Sequence, residues 1–251
     1  MSMIKQILSK IGIGAIKVNT KFDSERLVPG SEVQGVVTLQ GGNVEQYINS
    51  IHIDLVSDYI VEFKGTKAKR EDIIKHYQLG DSIPVSPGER KELNFSFSLP
   101  EETPVTIKDT AVWFKTRLDI RGGINLQDKD YLQIEPTEIT NSFLNIMQEL
   151  GFQLKYVGNE YNAYHLSDKL PFIQEFQFVP SDGEFKKKVE KIECVFVPES
   201  SSQIDVIMGI ERKTKGIGEL MSKSLDTEEN RTKLSVHHEQ LENLEGIVRE
   251  T

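Results

Sequence analysis

The sequence predicts an all-β protein with two β-sandwich lobes, a short connecting helix and short terminal helices. Three observations predict this class. Apolar and polar residues alternate over most of the chain, turn signals separate these runs about every 8 to 15 residues, and no long helical pattern lies between the early runs. Antiparallel sandwiches have this spacing, whereas parallel α/β sheets alternate strands with helices.

The first lobe is predicted over residues 1–136 and begins with a short helix. Ile4, Ile7, Leu8 and Ile11 have helical spacing, with polar residues between them. This pattern favours a helix that closes the end of a sheet; contact with a membrane surface or a partner is the alternative.

The stretch LVPGSEVQGVVTLQGG, residues 27–42, has explicit turn and strand chemistry. Pro29 presets φ for a tight turn, and Gly30 accepts the positive φ that follows. The next residues alternate in the two-residue period of a strand with one wet face. The inward set is Val33, Gly35, Val37 and Leu39.

Further apolar sets with the same period predict the other strands of this lobe. They are Ile16/Val18/Thr20/Phe22, Ile51/Ile53/Leu55, Tyr59/Val61/Phe63, Leu93/Phe95/Phe97/Leu99 and Val112/Phe114/Thr116/Leu118/Ile120.

A linker helix is predicted over 137–151. Pro136 stops the last strand, and Asn141 or Ser142 is the predicted cap. The apolar stripe is Phe143, Ile146, Met147 and Leu150, and Gly151 ends it.

Residues 152–215 repeat the strand pattern and form the predicted core of the second lobe. The apolar sets are Phe152/Leu154/Tyr156, Phe172/Phe176/Phe178, Ile192/Cys194/Phe196 and Ile204/Val206/Met208/Ile210. Cys194 is interpreted as a small buried hydrophobe. It is the only cysteine in the sequence, which excludes an internal disulfide and a four-cysteine zinc site. A single cysteine is compatible with a reducing cytoplasm.

The tail, residues 216–251, is acidic and carries three short apolar stripes. They predict a helix around Ile217, Leu220 and Met221, a strand at 234–236 and a terminal helix around Leu241, Leu244 and Val248. Because each stripe is too short to form a stable isolated helix, the tail is expected to pack on the second lobe or to bind partners.

Charge and hydropathy exclude several functions. A net charge of −9 argues against a nucleic-acid surface, which would need a surplus of Lys and Arg. No run approaches the ~18 apolar residues of a transmembrane helix, and no export signal is recognised. We expect a cytoplasmic protein.

Catalytic and metal-binding patterns are missing from the sequence, so neither an enzyme nor a cofactor is predicted. His52, His76, His165, His237 and His238 show no ligand spacing, and His52 is interpreted as a solvated strand residue. The carboxylates of Asp128 and Asp130 are interpreted as solvated turn residues. A metal-dependent or small-ligand β-barrel of the cupin kind is the main alternative, and a carbohydrate-binding domain is a weaker one.

Two lysine-rich clusters remain as candidate partner contacts, together with Leu220 and Met221. The first is Lys64, Lys67, Lys69 and Arg70; the second is Lys186, Lys187, Lys188 and Lys191. Each is either a solvated loop or a contact for an acidic partner or a lipid surface.

The order of the motifs resembles a known family. PGSEVQGVV at Pro29, followed by PGERKELNFSFSLPEETP at Pro87, resembles the amino-terminal lobe of arrestin-like proteins. With GIGAIKVNT, DIRGGI, ELGFQL and LPFIQEFQFVP, nearly the whole chain resembles the bacterial sporulation-control protein M family, a group of two-lobed arrestin-like proteins. The matching positions are Pro29, Gly30, Gly35, Pro87, Gly88, Phe95, Phe97, Leu99 and Pro100, and all of them define the fold.

The resemblance implies two arrestin-like lobes without enzymatic activity. It also implies a cytoplasmic scaffold that regulates sporulation and cell division by contacting regulatory or cell-division proteins, with a homodimer left open. Ser31 stands where the family usually has an acidic residue, and Glu32 follows one place later. The buried charged cluster with which animal arrestins sense phosphate has no match in the sequence, so phosphate sensing is not inferred.

Overall fold

A computed structural model describes residues 16–121, 126–163, 165–181, 185–213 and 231–250. These residues form thirteen β-strands, two α-helices and two short 3-10 helices. No helix in these ranges has both the length and the apolar character needed to cross a membrane.

The chain divides into two compact units. Unit 1 comprises the described residues of Met1–Ser57, Glu71–Pro100 and Ala111–Ile134. Unit 2 comprises those of Asp58–Arg70, Glu101–Thr110 and Glu135–Thr251. Two segments of unit 2 therefore come from within residues 1–136. The assignment of continuous lobes to 1–136 and 152–215 stays a prediction.

Eight of the described strands precede the first described helix. They are β1 (Lys17–Phe22), β2 (Arg26–Leu27), β3 (Glu32–Gln40), β4 (Gln46–Phe63), β5 (Thr66–Val85), β6 (Arg90–Ser98), β7 (Val112–Ile120) and β8 (Leu126–Ile134). In unit 1, β1, β3 and β6 form an antiparallel sheet with β3 in the centre. β4, β7 and β8 pair antiparallel with one another, with β7 between β4 and β8. The two-residue strand β2 pairs in parallel with the outer edge of β8.

Aromatic rings fill the core of unit 1. Phe22 stacks on Phe114 with ring centroids 4.7 Å apart and meets Phe95 edge-on at 5.5 Å. Trp113 and Phe114 are among the largest fully buried side chains. Phe22, Phe95 and Phe114 belong to the predicted inward sets, so the alternation identified them correctly. Trp113 lies on the opposite face of β7 and was not predicted to be buried, yet it is 2% exposed.

Gly35 leaves the space that this aromatic packing needs. A Cβ atom at this position would lie 2.6 Å from Cζ of Phe95 and would overlap the backbone oxygen of Lys21. Phe95 is the direct partner of Gly35 across the β3–β6 pair. The glycine in the VQGVV stretch therefore admits the Phe95 ring against the centre of the sheet.

Unit 2 contains the remaining elements. They are helix α1 (Glu138–Glu149), β9 (Phe152–Tyr161), β10 (Phe172–Pro180), a 3-10 helix (Phe185–Lys187), β11 (Val189–Ser200), β12 (Gln203–Arg212), β13 (Arg231–His237), a second 3-10 helix (His238–Asn243) and α2 (Leu244–Glu250). Strands β9 to β13 pair antiparallel in chain order, and Ile60 of β4 pairs in parallel with Glu160 of β9.

Helix α1 has the predicted apolar face but a different start. Phe143 and Met147 are buried, and the Phe143 ring meets Phe196 edge-on at 5.3 Å. The cap is Thr137, whose hydroxyl oxygen accepts a hydrogen bond from the Thr140 N–H at 3.3 Å. The predicted caps, Asn141 and Ser142, lie inside the helix instead.

The C-terminal residues of the described chain pack on unit 2. β13 contains the strand predicted at 234–236 and pairs with β12 along its whole length. Leu244 and Val248, predicted for a terminal helix, are buried in α2. The helix predicted at residues 4–11 and the stripe around Leu220 and Met221 lie outside the described residues.

Candidate interaction surface

The first lysine-rich cluster surrounds the turn between β4 and β5. We call Phe63, Lys64, Lys67 and Arg70 the hairpin surface. Lys64 and Gly65 form the turn with φ angles of 50° and 77°. The Phe63 side chain is 70% exposed, and Nζ of Lys64 lies 5.3 Å from the centre of its ring.

The cations of this cluster differ in how they are paired. Nζ of Lys69 lies 2.7 Å from a carboxylate oxygen of Asp58, whereas Lys67 is 4.0 Å from Glu62. Within the described ranges, Lys64 and Arg70 have no carboxylate partner. Lys69 is thus engaged, and the hairpin surface presents an exposed aromatic ring among cations.

The second lysine-rich cluster is only partly available for contact. Nζ of Lys191 pairs with Glu193 and lies 3.4 Å from Glu211. Burial alone would lower the pKa of Lys191, but its hydrogen bonds to these carboxylates raise the pKa above the ordinary value. Lys191 is therefore held charged inside unit 2. Lys186, Lys187 and Lys188 are exposed, and Nζ of Lys186 donates to the backbone oxygen of Ser181.

The motif residues predicted to define the fold lie along the β3–β6 pair of unit 1, with the two Pro-Gly turns at its opposite ends. The two Pro-Gly turns, Pro29–Gly30 and Pro87–Gly88, have glycine φ angles of 82° and 70°. The Gly30 N–H donates to the Leu99 oxygen at 3.0 Å, just before Pro100, and the Gly88 N–H donates to the Gly42 oxygen at 3.1 Å. Phe97 is half-buried and stacks on Tyr77 at 3.8 Å.

A buried charged cluster in unit 1 was missed by the sequence analysis. Asp54 is 1% exposed, and its two carboxylate oxygens accept hydrogen bonds from Nε of Arg117 at 2.6 Å and from His76 at 2.5 Å. Burial alone would raise the pKa of Asp54, but these hydrogen bonds hold it below its ordinary value. The signal in the sequence is that Asp54 interrupts a strand segment whose neighbours, Ile53 and Leu55, are both apolar.

The interpretation of His52 as a solvated residue is wrong. It is half-buried, hydrogen-bonded to Ser50 at 2.7 Å, and its ring centre is 4.7 Å from that of His76. Burial, followed by the electrostatic influence of the nearby His76 and Arg117 side chains, lowers the pKa of His52. His52 therefore favours the neutral form beside the charged cluster.

Asp128 and Asp130 also differ from the prediction, because both lie within β8 rather than in a turn. Asp130 is half-buried, and its Oδ2 has no hydrogen-bond partner among the described residues. Burial, followed by repulsion from Asp128, raises the pKa of Asp130 to about 6.

Replacing Asp130 with asparagine is expected to stabilise the protein at neutral pH. With its pKa raised in the folded state, Asp130 favours folding below the unfolded pKa of about 4 and loses that contribution as pH rises towards 6. Asp130→Asn should gain about 1 to 2 kcal/mol at pH 7.5, after a discount for solvent screening, and nothing at pH 4. Urea unfolding at both pH values measures this difference.

Asp128→Asn is the matched control for this measurement. Asp128→Asn relieves only the smaller, repulsive cause of the raised Asp130 pKa, and it weakens the hydrogen bond that the Asp128 carboxylate accepts from the Thr20 N–H at 3.0 Å. Its gain at pH 7.5 should therefore be smaller than that of Asp130→Asn. Equal stability of wild type and Asp130→Asn at both pH values would contradict the prediction.

Reactive side chains are not assembled in the described part of the chain. Cys194 is fully buried, and this burial raises the pKa of its thiol. No group of three or more His, Cys, Asp or Glu side chains is placed to hold a metal ion within the described ranges.

These features define a class of protein. Two β-rich units, with paired Pro-Gly turns on one of them, belong to the all-β, two-lobed arrestin-like class.

Comparison with known proteins identifies the family. The model of the SpoOM protein family (Spo0M) matches residues 4–214. The sporulation-control protein spo0M of Bacillus subtilis (strain 168) is 30% identical over 247 residues, which cover 98% of this chain and 95% of that protein. The crystal structure of Spo0M from Bacillus subtilis matches with a TM-score of 0.86 and 29% identity, over 95% of this chain and 98% of that one. The chain belongs to the SpoOM protein family, which confirms the resemblance drawn from the motifs.

Proposed function

We propose that the chain is a non-enzymatic, cytoplasmic regulator of sporulation that works as a scaffold through contacts with other proteins. Its similarity to a protein named for sporulation control supports the regulatory part. The hairpin surface is the observation that supports the protein contacts. Regulatory and cell-division proteins are the proposed partners.

The chemistry of the hairpin surface favours an acidic protein partner. Aromatic and arginine side chains are enriched at protein–protein interfaces, and the exposed Phe63 and Arg70 provide both. Residues 63–70 carry four cations and no acidic side chain, on a chain with a net charge of −9. A complementary acidic surface would be steered to the hairpin surface and held in one orientation.

A combined binding and sporulation experiment tests this proposal. The chain is expressed in its own host after deletion of the chromosomal gene, either as wild type or as Phe63→Ala/Lys64→Glu/Arg70→Glu. We expect cells that carry the triple variant to form at least tenfold fewer heat-resistant spores than cells that carry the wild type. In sporulating cells, the proteins that crosslink to the wild-type hairpin surface should no longer crosslink to the triple variant.

The matched control is Phe63→Ala together with Lys17→Glu and Lys155→Glu, which makes the same charge change at two exposed lysines elsewhere. Comparing this control with the triple variant isolates the charges of the hairpin surface. Full complementation by the triple variant would refute the role of this surface. If the wild-type chain binds anionic vesicles but crosslinks to no protein in sporulating cells, the proposal of an acidic protein partner is refuted.

A further inference from the structure

Unit 2 contains an apolar pocket that the proposed function does not use. Its volume is about 620 Å³, within the range of about 300 to 1,000 Å³ that is typical of small-molecule sites. It lies among α1, β9, β11, β12 and α2. The apolar lining includes Met147, Leu150, Phe152, Ile192, Met208 and Ile210. These side chains are buried or half-buried, so the interior suits a hydrocarbon.

Four cations complete the lining of this pocket. Lys187, Lys188, Arg212 and Lys213 are exposed, so they lie on its solvent side. No Asp or Glu is among the described residues that line it. Only Lys213 has a carboxylate near it in the described part of the chain, Glu190 at 3.9 Å. A group of four cations on a chain of net charge −9 selects an anion.

We propose that this pocket binds a free medium-chain fatty acid, with the acyl chain in the apolar interior and the carboxylate among the four cations. The ligand matches both halves of the lining. A nucleotide base or a sugar would need hydrogen-bonding groups deep in the pocket, where the described side chains are apolar and the four cations lie on the solvent side. A carboxylate head needs only the charge that Lys187, Lys188 and Arg212 offer.

Calorimetric titration of the full chain with octanoate, decanoate and dodecanoate, each below its micelle concentration, tests the proposal. We expect one molecule per chain and an affinity that rises about fourfold for each added methylene. Dodecyltrimethylammonium, with the same tail and the opposite charge, should bind at least tenfold more weakly.

Two pairs of variants locate the site. Ile210→Trp is expected to fill the pocket and weaken dodecanoate binding at least tenfold. Ile207→Trp is its control, because Ile207 lies on the same strand but packs against a separate cluster of Ile173, Val195 and Val197. Lys187→Glu/Lys188→Glu should abolish the preference for the anion, whereas Lys17→Glu/Lys155→Glu should preserve it. Melting temperatures establish that each variant is folded.

Several outcomes would overturn the proposal. They are an absence of saturable binding by the full chain, equal affinity for the cationic amphiphile, and binding unaffected by Ile210→Trp in a folded protein. Binding to anionic phospholipid vesicles without any binding of monomeric dodecanoate would also overturn it, because that result indicates a membrane surface rather than a free fatty acid.

Discussion

Gly35→Ala is expected to destabilise the protein by about 3 kcal/mol, which corresponds to a fall of roughly 6 to 12 °C in melting temperature. The added methyl group would overlap the backbone oxygen of Lys21 and the ring of Phe95. The ring can rotate, but the backbone oxygen moves only if β1 moves away from β3. Thermal unfolding followed by circular dichroism measures the change.

Two comparisons make this prediction specific. Gly88→Ala places its methyl group in open space at a φ of 70°, so it should cost only about 1 kcal/mol, from backbone strain. Adding Phe95→Leu to Gly35→Ala should recover little, because the overlap with Lys21 remains. If the free energy of unfolding of Gly35→Ala is within about 0.5 kcal/mol of the wild-type value, β1 can move away from β3 without cost and the prediction is wrong.

Arg117→Met is expected to cost about 3 kcal/mol at neutral pH, because it removes the arginine charge and leaves the buried carboxylate of Asp54 with the hydrogen bond from His76. Methionine keeps much of the length of the arginine side chain, so the loss reports on the charge. Urea unfolding at pH 7 gives the magnitude. Asp54→Asn/Arg117→Met should be more stable than Arg117→Met alone, because the buried charge is then removed as well.

The pH dependence provides an independent check on the Asp54 pair. The pKa of Asp54 is depressed in the folded state, so its stabilising contribution is present above the unfolded pKa of about 4 and is lost as pH falls through the folded value. The gap between wild type and Arg117→Met should therefore narrow below pH 4. A gap of constant size would assign the effect to lost packing rather than to the ion pair.

Periodicity predicted most strands because most of them have one buried face. It failed at β5, where nearly every position from Thr66 to Pro84 is exposed or half-buried and no apolar stripe marks the strand. Its hydrogen bonds to β4 hold it, and these depend on the backbone rather than on side-chain type. The start of α1 was misplaced because Thr137, Asn141 and Ser142 are all good caps, and residue type alone cannot choose among them.

The sequence showed which charged residues the candidate sites contain, but not which of these residues form ion pairs. The lysines of both clusters are visible in the sequence, yet whether each one is engaged depends on its neighbours in space. Lys191 faces Glu211 across the β11–β12 pair, whereas Lys187 and Lys188 are exposed on the solvent side of the apolar pocket. Asp54 and Arg117 are 63 residues apart, so only the pairing of β4 with β7 brings them together.

The pairing of β13 with β12 has a consequence for the order in which the chain folds during synthesis. Residues Arg231–His237 occupy the hydrogen-bonding edge of β12 and follow it in the chain by almost twenty positions. Until they have left the ribosome, a nascent chain that has already formed β9 to β12 displays a row of unpaired backbone N–H and C=O groups. β13 then becomes the outer strand of this sheet, so the edge of β12 is covered only after Arg231–His237 have been synthesised.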